Sequence, residues 1–75
     1  MQQEEVLMGR IVRWDAARYF GFIQPDRGPN WFFNGRDYFG DPSDIQVGMK
    51  VRFEAGEHRG RACAVAVEVL SDDAE

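Results

Sequence analysis

Three phenylalanines are the residues of this sequence best suited to bind a flat ligand. A Phe-Gly-Phe-Ile run places Phe20 and Phe22 on one face of a strand and Ile23 on the other. Phe32 shares a face with the asparagines two residues before and after it. If Ile23 faces the core, the three rings face solvent. An exposed apolar patch of this kind usually marks a binding site.

Arginines near these rings make unpaired nucleic-acid bases the favoured ligand. Every base has a π face, and stacking on an aromatic ring stabilises binding by about 1–3 kcal/mol. Arg13 and Arg18 flank the patch, and an arginine pairs with phosphate or stacks on a base. The competing interpretation is that the rings fill the interior. We expect that of Trp31, Phe33 and Phe53, but a small barrel cannot enclose all ten aromatic side chains.

The charge distribution is compatible with a polyanionic ligand, although the net charge is −4. Five of the thirteen acidic residues lie in the two ends of the chain, and the segment 7–70 has nine basic and eight acidic residues. Five arginines and two aspartates lie between Arg10 and Arg36, so the first half of the chain is positive. Local field, rather than total charge, attracts a polyanion. We interpret 7–70 as one domain, with 1–6 and 71–75 as flexible acidic tails.

Hydrophobic residues alternate mostly with a period of two, which predicts strands. We expect a helical turn around Arg36–Phe39 and a turn over Gly56–Gly60. In the last strand, strict alternation predicts one face with Cys63, Val65, Val67 and Val69. The five expected strands are Val6–Trp14, Phe20–Gln24, Asn30–Phe33, Met49–Glu54 and Cys63–Val69. Because an open sheet this small would leave unpaired edges, they predict an all-β, closed or nearly closed barrel.

Composition argues against several other classes of protein. Cys63 and His58 are the only residues of their types, so a disulfide, a zinc site or a histidine-based catalytic triad is not expected. No run of about 18 apolar residues predicts a membrane span, and the polar, acidic N-terminus does not resemble a secretory signal. We therefore expect a monomeric protein that is not an enzyme and needs no cofactor, and a reducing compartment fits the single cysteine.

The order of several motifs resembles the cold-shock domain family over about residues 7–70. Arg18–Ile23 and Asn30–Asn34 resemble the family's two ribonucleoprotein motifs. Gly9–Trp14 is similar to its opening strand, and Val47–Phe53 to its Glu-Gly-x-x-Val-x-Phe segment. Each motif alone is moderately specific, whereas their order and spacing together are a strong signal.

The resemblance implies a five-stranded antiparallel OB-fold β-barrel that binds single-stranded RNA or DNA, with a preference for pyrimidine-rich runs. It also implies a cytoplasmic location and an RNA-chaperone role, because binding unpaired bases favours the melted strand. Tyr19, which lies inside the first motif, is included among the candidates. The expected binding residues are Arg13, Trp14, Arg18, Tyr19, Phe20, Phe22, Asn30, Phe32, Asn34 and Arg59.

Four departures from the family pattern affect the binding surface. Trp14 is followed by Asp-Ala-Ala, one residue short and without the family's Phe. Tyr19 replaces a Gly, Asn34 replaces a stacking His, and Gly35 replaces a Phe. We expect either a lower affinity or an altered base preference. Tyr19, Tyr38 and Phe39 are the rings that could restore the surface.

Two functions from different classes remain open at this point. The first is nucleic-acid binding, for which RNA and DNA are both possible targets because stacking does not read the 2′-hydroxyl. The second is a protein-interaction barrel with reduced nucleic-acid affinity, which the missing rings and the negative net charge favour. Strong salt dependence of binding would distinguish the first from the second.

Overall fold

The structure is a computed structural model that describes residues 6–70. The predicted tails therefore lie outside the described residues, except for Val6, which is the first residue of the first strand. Five strands confirm the all-β prediction. They are β1 (Val6–Asp15), β2 (Phe20–Pro25), β3 (Trp31–Asn34), β4 (Lys50–His58) and β5 (Arg61–Val69).

The five strands form one sheet that closes into a ring, in the order β1-β2-β3-β5-β4 with β4 returning to β1. The expectation of a purely antiparallel sheet is wrong at one seam, because β3 and β5 are parallel and pair only at Phe33 and Ala64. The reason is topological. The long connection after β3 leads to β4, and the β4–β5 hairpin then brings β5 alongside β3 in the same direction.

The connection between β3 and β4 contains two short 3₁₀ helices, Gly35–Asp37 and Pro42–Asp44. The first begins one residue before the predicted helical turn. Asn34 caps it, with its Oδ1 accepting a hydrogen bond from the Arg36 backbone N–H at 3.2 Å. Asp41 caps the second in the same way through Ser43. Within the described residues, no helix is long or apolar enough to cross a membrane.

Apolar side chains from all the strands fill the interior of the ring. The largest are at most 1 % exposed: Phe33, Phe53, Ile11, Ile23, Val51 and Val67. Trp31 lies on the inward side of β3 and is half-buried against Phe53, with ring centroids 5.6 Å apart. The predicted inward positions of Phe33 and Phe53 are therefore confirmed.

The strict alternation expected for β5 is wrong. Phe53 of β4 lies opposite two residues of β5, because Arg52 pairs with Glu68 while Glu54 pairs with Val65. The extra residue is a β-bulge, and Ala66 adopts a φ of 52° there. The bulge shifts the inward phase from Ala64 to Val67, so Val65 is only half-buried.

The hairpin between β4 and β5 is longer than the sequence predicts. β4 continues to His58 and β5 begins at Arg61, so the turn is confined to Arg59 and Gly60. Both turn residues have positive φ, 53° and 81°. This conformation matches the right-handed twist of paired strands and favours a two-residue turn. The extended arm carries Arg59 and Arg61 at its tip.

Candidate functional site

The three predicted rings lie together on the outer surface of β2 and β3. Phe22 pairs directly with Phe32 across the two strands, and Phe20 pairs with Asn34. Because directly opposed residues of a sheet share a face, the rings form one surface cluster, here called the ring patch (Phe20, Phe22 and Phe32). Ile23 is fully buried on the other face, as expected.

The ring patch is compact. Its ring centroids lie 5.6 Å apart for Phe20 and Phe32, 5.8 Å for Phe22 and Phe32, and 6.0 Å for Phe20 and Phe22. Phe32 is 37 % exposed, while Phe20 and Phe22 are half-buried because each packs against the other rings. The edge-on and tilted packing fixes the rings before a ligand arrives, so little side-chain entropy remains to be lost on binding.

A β-bulge in β1 brings a basic residue to the ring patch. Ile11 pairs with Ile23, but Arg13 pairs with Phe22, so Val12 is an extra residue between them. The bulge reverses the phase of β1, and Arg13 is placed beside Phe22 on the outer face. The predicted role of Arg13 as a flanking cation is therefore compatible with its position.

The same bulge places a carboxylate at the ring patch, which the sequence analysis did not anticipate. Asp15 pairs with Phe20 and is half-buried. Its Oδ1 accepts a hydrogen bond from the Arg18 backbone N–H at 3.0 Å, which fixes the turn after β1. Asp15 offers a hydrogen-bond acceptor to the amino group of a stacked base, and it repels a phosphate at this edge.

Gly21 allows the strands that carry the ring patch to approach each other closely. A Cβ atom at this position would lie 2.8 Å from the Phe33 ring and would also collide with the Arg13 carbonyl oxygen. Even alanine therefore requires the strands to separate. The glycine between Phe20 and Phe22 is thus needed for the packing beneath the patch, not for flexibility.

Trp14 lies at the rim of the closed sheet rather than in the ring patch. It pairs with Gly21 on the inward-facing row, and its ring stacks on Phe33 at 5.7 Å and 17°. Tyr19 is its other aromatic neighbour, with ring centroids 6.0 Å apart. Trp14 is half-buried and Tyr19 is 44 % exposed. The two rings form a second, smaller aromatic surface.

The Tyr19 ring lies next to Gly35. Ring carbons of Tyr19 would lie 2.8 Å from a Cβ on Gly35, so the tyrosine ring occupies the space next to this glycine. The Gly35 backbone N–H also donates to the Tyr19 carbonyl at 2.8 Å. Tyr19 has a φ of 64°, which is unfavourable for a residue with a bulky side chain. Of the three rings considered as replacements, Tyr19 is the one beside Trp14.

The two other candidate replacements lie elsewhere. Tyr38 is buried in the core, and burial raises its pKa, with further increases from the charges of Asp44 and Asp41. Phe39 is 61 % exposed, but it lies beside the outer surface of β4 and β5, near Arg52 and Glu68. Neither ring extends the ring patch.

The remaining predicted site residues lie around the ring patch. Arg18 is exposed in the turn between β1 and β2, and Asn30 is exposed just before β3. Asn34 is half-buried; its Oδ1 caps the 3₁₀ helix, so its amide N–H groups are the atoms left to contact a ligand. Arg59 is exposed at the hairpin tip, close to Phe32.

Three polar residues near Phe32 were not found by sequence reasoning: Arg36, His58 and Arg61. All three line hollows that also include Phe32. Arg36 follows β3, whereas His58 and Arg61 flank the hairpin turn and reach Phe32 only through the parallel seam. Gly60 is the local signal for the turn, because a two-residue turn requires positive φ at both positions, but Arg59 is not a residue typical of such a turn. The sequence therefore gives only a weak indication that Arg61 lies next to the turn.

Cys63 is the buried residue beneath these hollows. Burial raises the pKa of its thiol, and the charges of Asp37 and Glu57 raise it further. A thiol held protonated in this way is a poor nucleophile and a poor metal ligand. Among residues 6–70, no three His, Cys, Asp or Glu side chains are arranged to hold a metal ion.

No protein-family model matches the chain, and no curated protein matches it.

Proposed function

We propose that the protein binds single-stranded RNA or DNA by stacking bases on the ring patch. One observation carries the proposal. Three phenylalanine rings lie within 6.0 Å of one another on the surface of the sheet, with Arg13 paired directly beside Phe22. Exposed rings offer no group that selects a particular hydrogen-bond pattern, so they suit ligands whose common feature is a flat π face.

The arrangement of β2 and β3 supports a strand that crosses the sheet rather than a single bound base. The rows Arg13–Phe22–Phe32 and Asp15–Phe20–Asn34 run side by side across three strands. Successive bases can stack on successive rings, while the backbone passes the arginine. Three stacks of about 1–3 kcal/mol contribute at most about 9 kcal/mol, so after the cost of ordering the strand, stacking alone corresponds to a Kd of about micromolar or weaker.

The motif order supports a finer proposal, that the chain is a divergent cold-shock domain with an OB-type barrel. The closed five-stranded sheet and its single parallel seam are compatible with it. On that basis we propose a cytoplasmic, monomeric, non-enzymatic protein that prefers pyrimidine-rich strands and acts as an RNA chaperone or a regulator of transcription or translation. Binding of the melted form is the physical basis of such a role.

Fluorescence anisotropy of a labelled oligothymidine of about seven nucleotides tests the proposal, since this length is within the range of OB-fold site sizes. We expect saturable binding that weakens as salt increases, because phosphate contacts release counterions. A duplex of the same length should compete poorly. Absence of binding at low salt to both oligothymidine and a mixed-sequence strand would refute the proposal.

Two observations favour a second candidate, a barrel that binds another protein. Asp15 places a negative charge against Phe20, and Asn34 uses its acceptor atom for the helix cap. Both reduce the suitability of one edge for a polyanion. If the ring patch binds protein, mutating Phe22 will disrupt a complex whose affinity changes little between low and high salt.

A further inference from the structure

A groove lies between Phe32 and the β4–β5 hairpin. β3 pairs with β5 only at Phe33 and Ala64, and the β5 residues before Ala64 pair with β4 alone. The two strands therefore have no ladder between them on the hairpin side of the seam. Two hollows, of about 210 and 360 Å³, occupy this region. Phe32, His58 and Cys63 line both, so the hollows are adjacent parts of one groove, here called the hairpin groove.

The two ends of the hairpin groove carry arginines. Arg36 lines the smaller hollow together with Asn34 and Asp37. Arg59 and Arg61 line the larger one. All three arginines are exposed. Within residues 6–70, the ion pair found is Arg52–Glu68. None of these three guanidinium groups therefore forms an ion pair with a carboxylate of those residues.

The floor of the hairpin groove differs in chemistry from its ends. Cys63 is buried and uncharged there, and the Phe32 ring borders both hollows. Phe32 and His58 are the aromatic residues that line both hollows, so their rings lie where the two hollows meet and the arginines lie to either side of them. Guanidinium groups at both ends and an apolar floor suit a segment that is anionic at its ends and less polar between them.

We propose that the hairpin groove binds the sugar–phosphate chain next to the base stacked on Phe32, with one phosphate at Arg36 and another at Arg61. The inference rests on the proposed function and specifies where the strand leaves the ring patch. A guanidinium pairs with phosphate oxygens through two parallel N–H donors, and exposed guanidinium groups on either side of a neutral floor match two successive phosphates. The sugar between the two phosphates would lie over the neutral floor.

The salt dependence of binding tests this path. Each phosphate neutralised on a single strand contributes about 0.7 to the slope of log K against log salt concentration. We expect Arg36→Gln and Arg61→Gln each to reduce the slope by about 0.7. Arg27→Gln is the matched control, because Arg27 is an exposed arginine in the turn after β2 and lines neither hollow. It should leave the slope unchanged.

A length series of oligothymidines provides the second readout. In the native protein, affinity should continue to rise when the strand is lengthened beyond the nucleotides that cover the three rings. In the Arg36→Gln, Arg61→Gln double variant, the last one or two nucleotides should add nothing. Circular dichroism spectra that match the native protein would show that the variants fold, as expected for exposed positions.

The outcomes separate this inference from the proposed function. If the native protein binds no single strand, both fail. Suppose instead that the native protein binds, that Phe22→Ala weakens binding, and that the two arginine variants keep the native slope and length dependence. The ring patch would then be supported and the path through the groove refuted. If a polyglutamate peptide binds the groove as tightly as the oligonucleotide and with the same arginine dependence, the groove recognises acidic chains in general and the inference is also overturned.

Discussion

Two outer faces of the closed sheet follow the same strand-pairing rules but differ in the side chains that lie next to their arginines. On the β1-β2-β3 side, the row Arg13–Phe22–Phe32 places a cation and two rings side by side. On the β1-β4-β5 side, the row Met8–Arg52–Glu68 places a cation beside an anion, and Arg52 Nε donates to Glu68 Oε1 at 3.1 Å.

The difference shows which face is available to a ligand. Arg52 already has a carboxylate across the strand pair, so a phosphate at this point would have to compete with Glu68. Arg13 has the Phe22 ring as its cross-strand neighbour, and the ion pair found within residues 6–70 does not involve it, although Asp15 lies two residues further along the same face. Because both faces are exposed, exposure alone does not distinguish them, whereas the cross-strand partners do.

The largest expected effect separates the inner and outer faces of β3. Phe33 is fully buried, and Phe33→Ala should lower the free energy of unfolding by about 3–5 kcal/mol. Phe32 is its neighbour on the outer face, and Phe32→Ala should cost much less stability while weakening oligonucleotide binding. Urea denaturation and anisotropy titrations of the two variants measure both quantities. Equal loss of stability in both would contradict the assignment of the two faces.

The next largest effect is on Kd, when a ring of the ring patch and an apolar residue of the other outer face are each replaced by alanine. Phe22→Ala removes one stack, worth about 1–3 kcal/mol, which is roughly a 5- to 150-fold increase in Kd. Met8→Ala is the matched control, because Met8 is an exposed apolar residue of the ion-pair row. It should leave Kd unchanged. A similar loss of affinity in both variants would mean that binding does not depend on the ring patch.

How far these faces are predictable from the sequence depends on local regularity. β2 has no bulge, so alternation from Ile23 correctly placed Phe20 and Phe22 outward. β1 and β5 each contain a bulge, and Val12 and Ala66 are residues that ordinary strands also contain, so their sequence gives no sign of it. The hairpin groove lies beside the seam between β3 and β5. Because these strands are distant in the chain, no local sequence pattern predicts the groove.

Replacing one arginine on each face should have a smaller effect, on oligonucleotide binding for Arg13 and on stability for Arg52. Arg13→Gln should increase Kd severalfold and reduce the salt slope by about 0.7, because it removes a phosphate contact. Arg52→Gln should leave binding unchanged and lower stability by at most about 1 kcal/mol, since its ion pair is half exposed. Titrations at several salt concentrations measure the first variant, and urea denaturation measures the second. An unchanged slope in Arg13→Gln would place the strand elsewhere.

The smallest effect concerns alkaline pH at Cys63, beneath the hairpin groove. Burial raises the pKa of this thiol above its ordinary value of 9.0. The unfolded chain therefore releases this proton at a lower pH than the folded protein does. Stability should be unaffected below about pH 9 and fall as pH rises through the folded-state pKa. Urea denaturation from pH 7 to 10.5 measures the decline.

Cys63→Ala is the control for this dependence. It should make the decline above pH 9 shallower, although Tyr38, whose pKa is also raised above its ordinary value of 10.0, should still contribute. An alkaline decline of the same steepness in Cys63→Ala and the native protein would show that the thiol is not protected by burial.

The most direct test of the account is a backbone chemical-shift map of the protein during titration with a seven-nucleotide oligothymidine. We expect the largest changes at Arg13, Phe20, Phe22 and Phe32, and little change at Met8, Arg52 and Glu68. Changes concentrated on the second set, or no saturable change at all, would contradict the claim that the ring patch binds single-stranded nucleic acid.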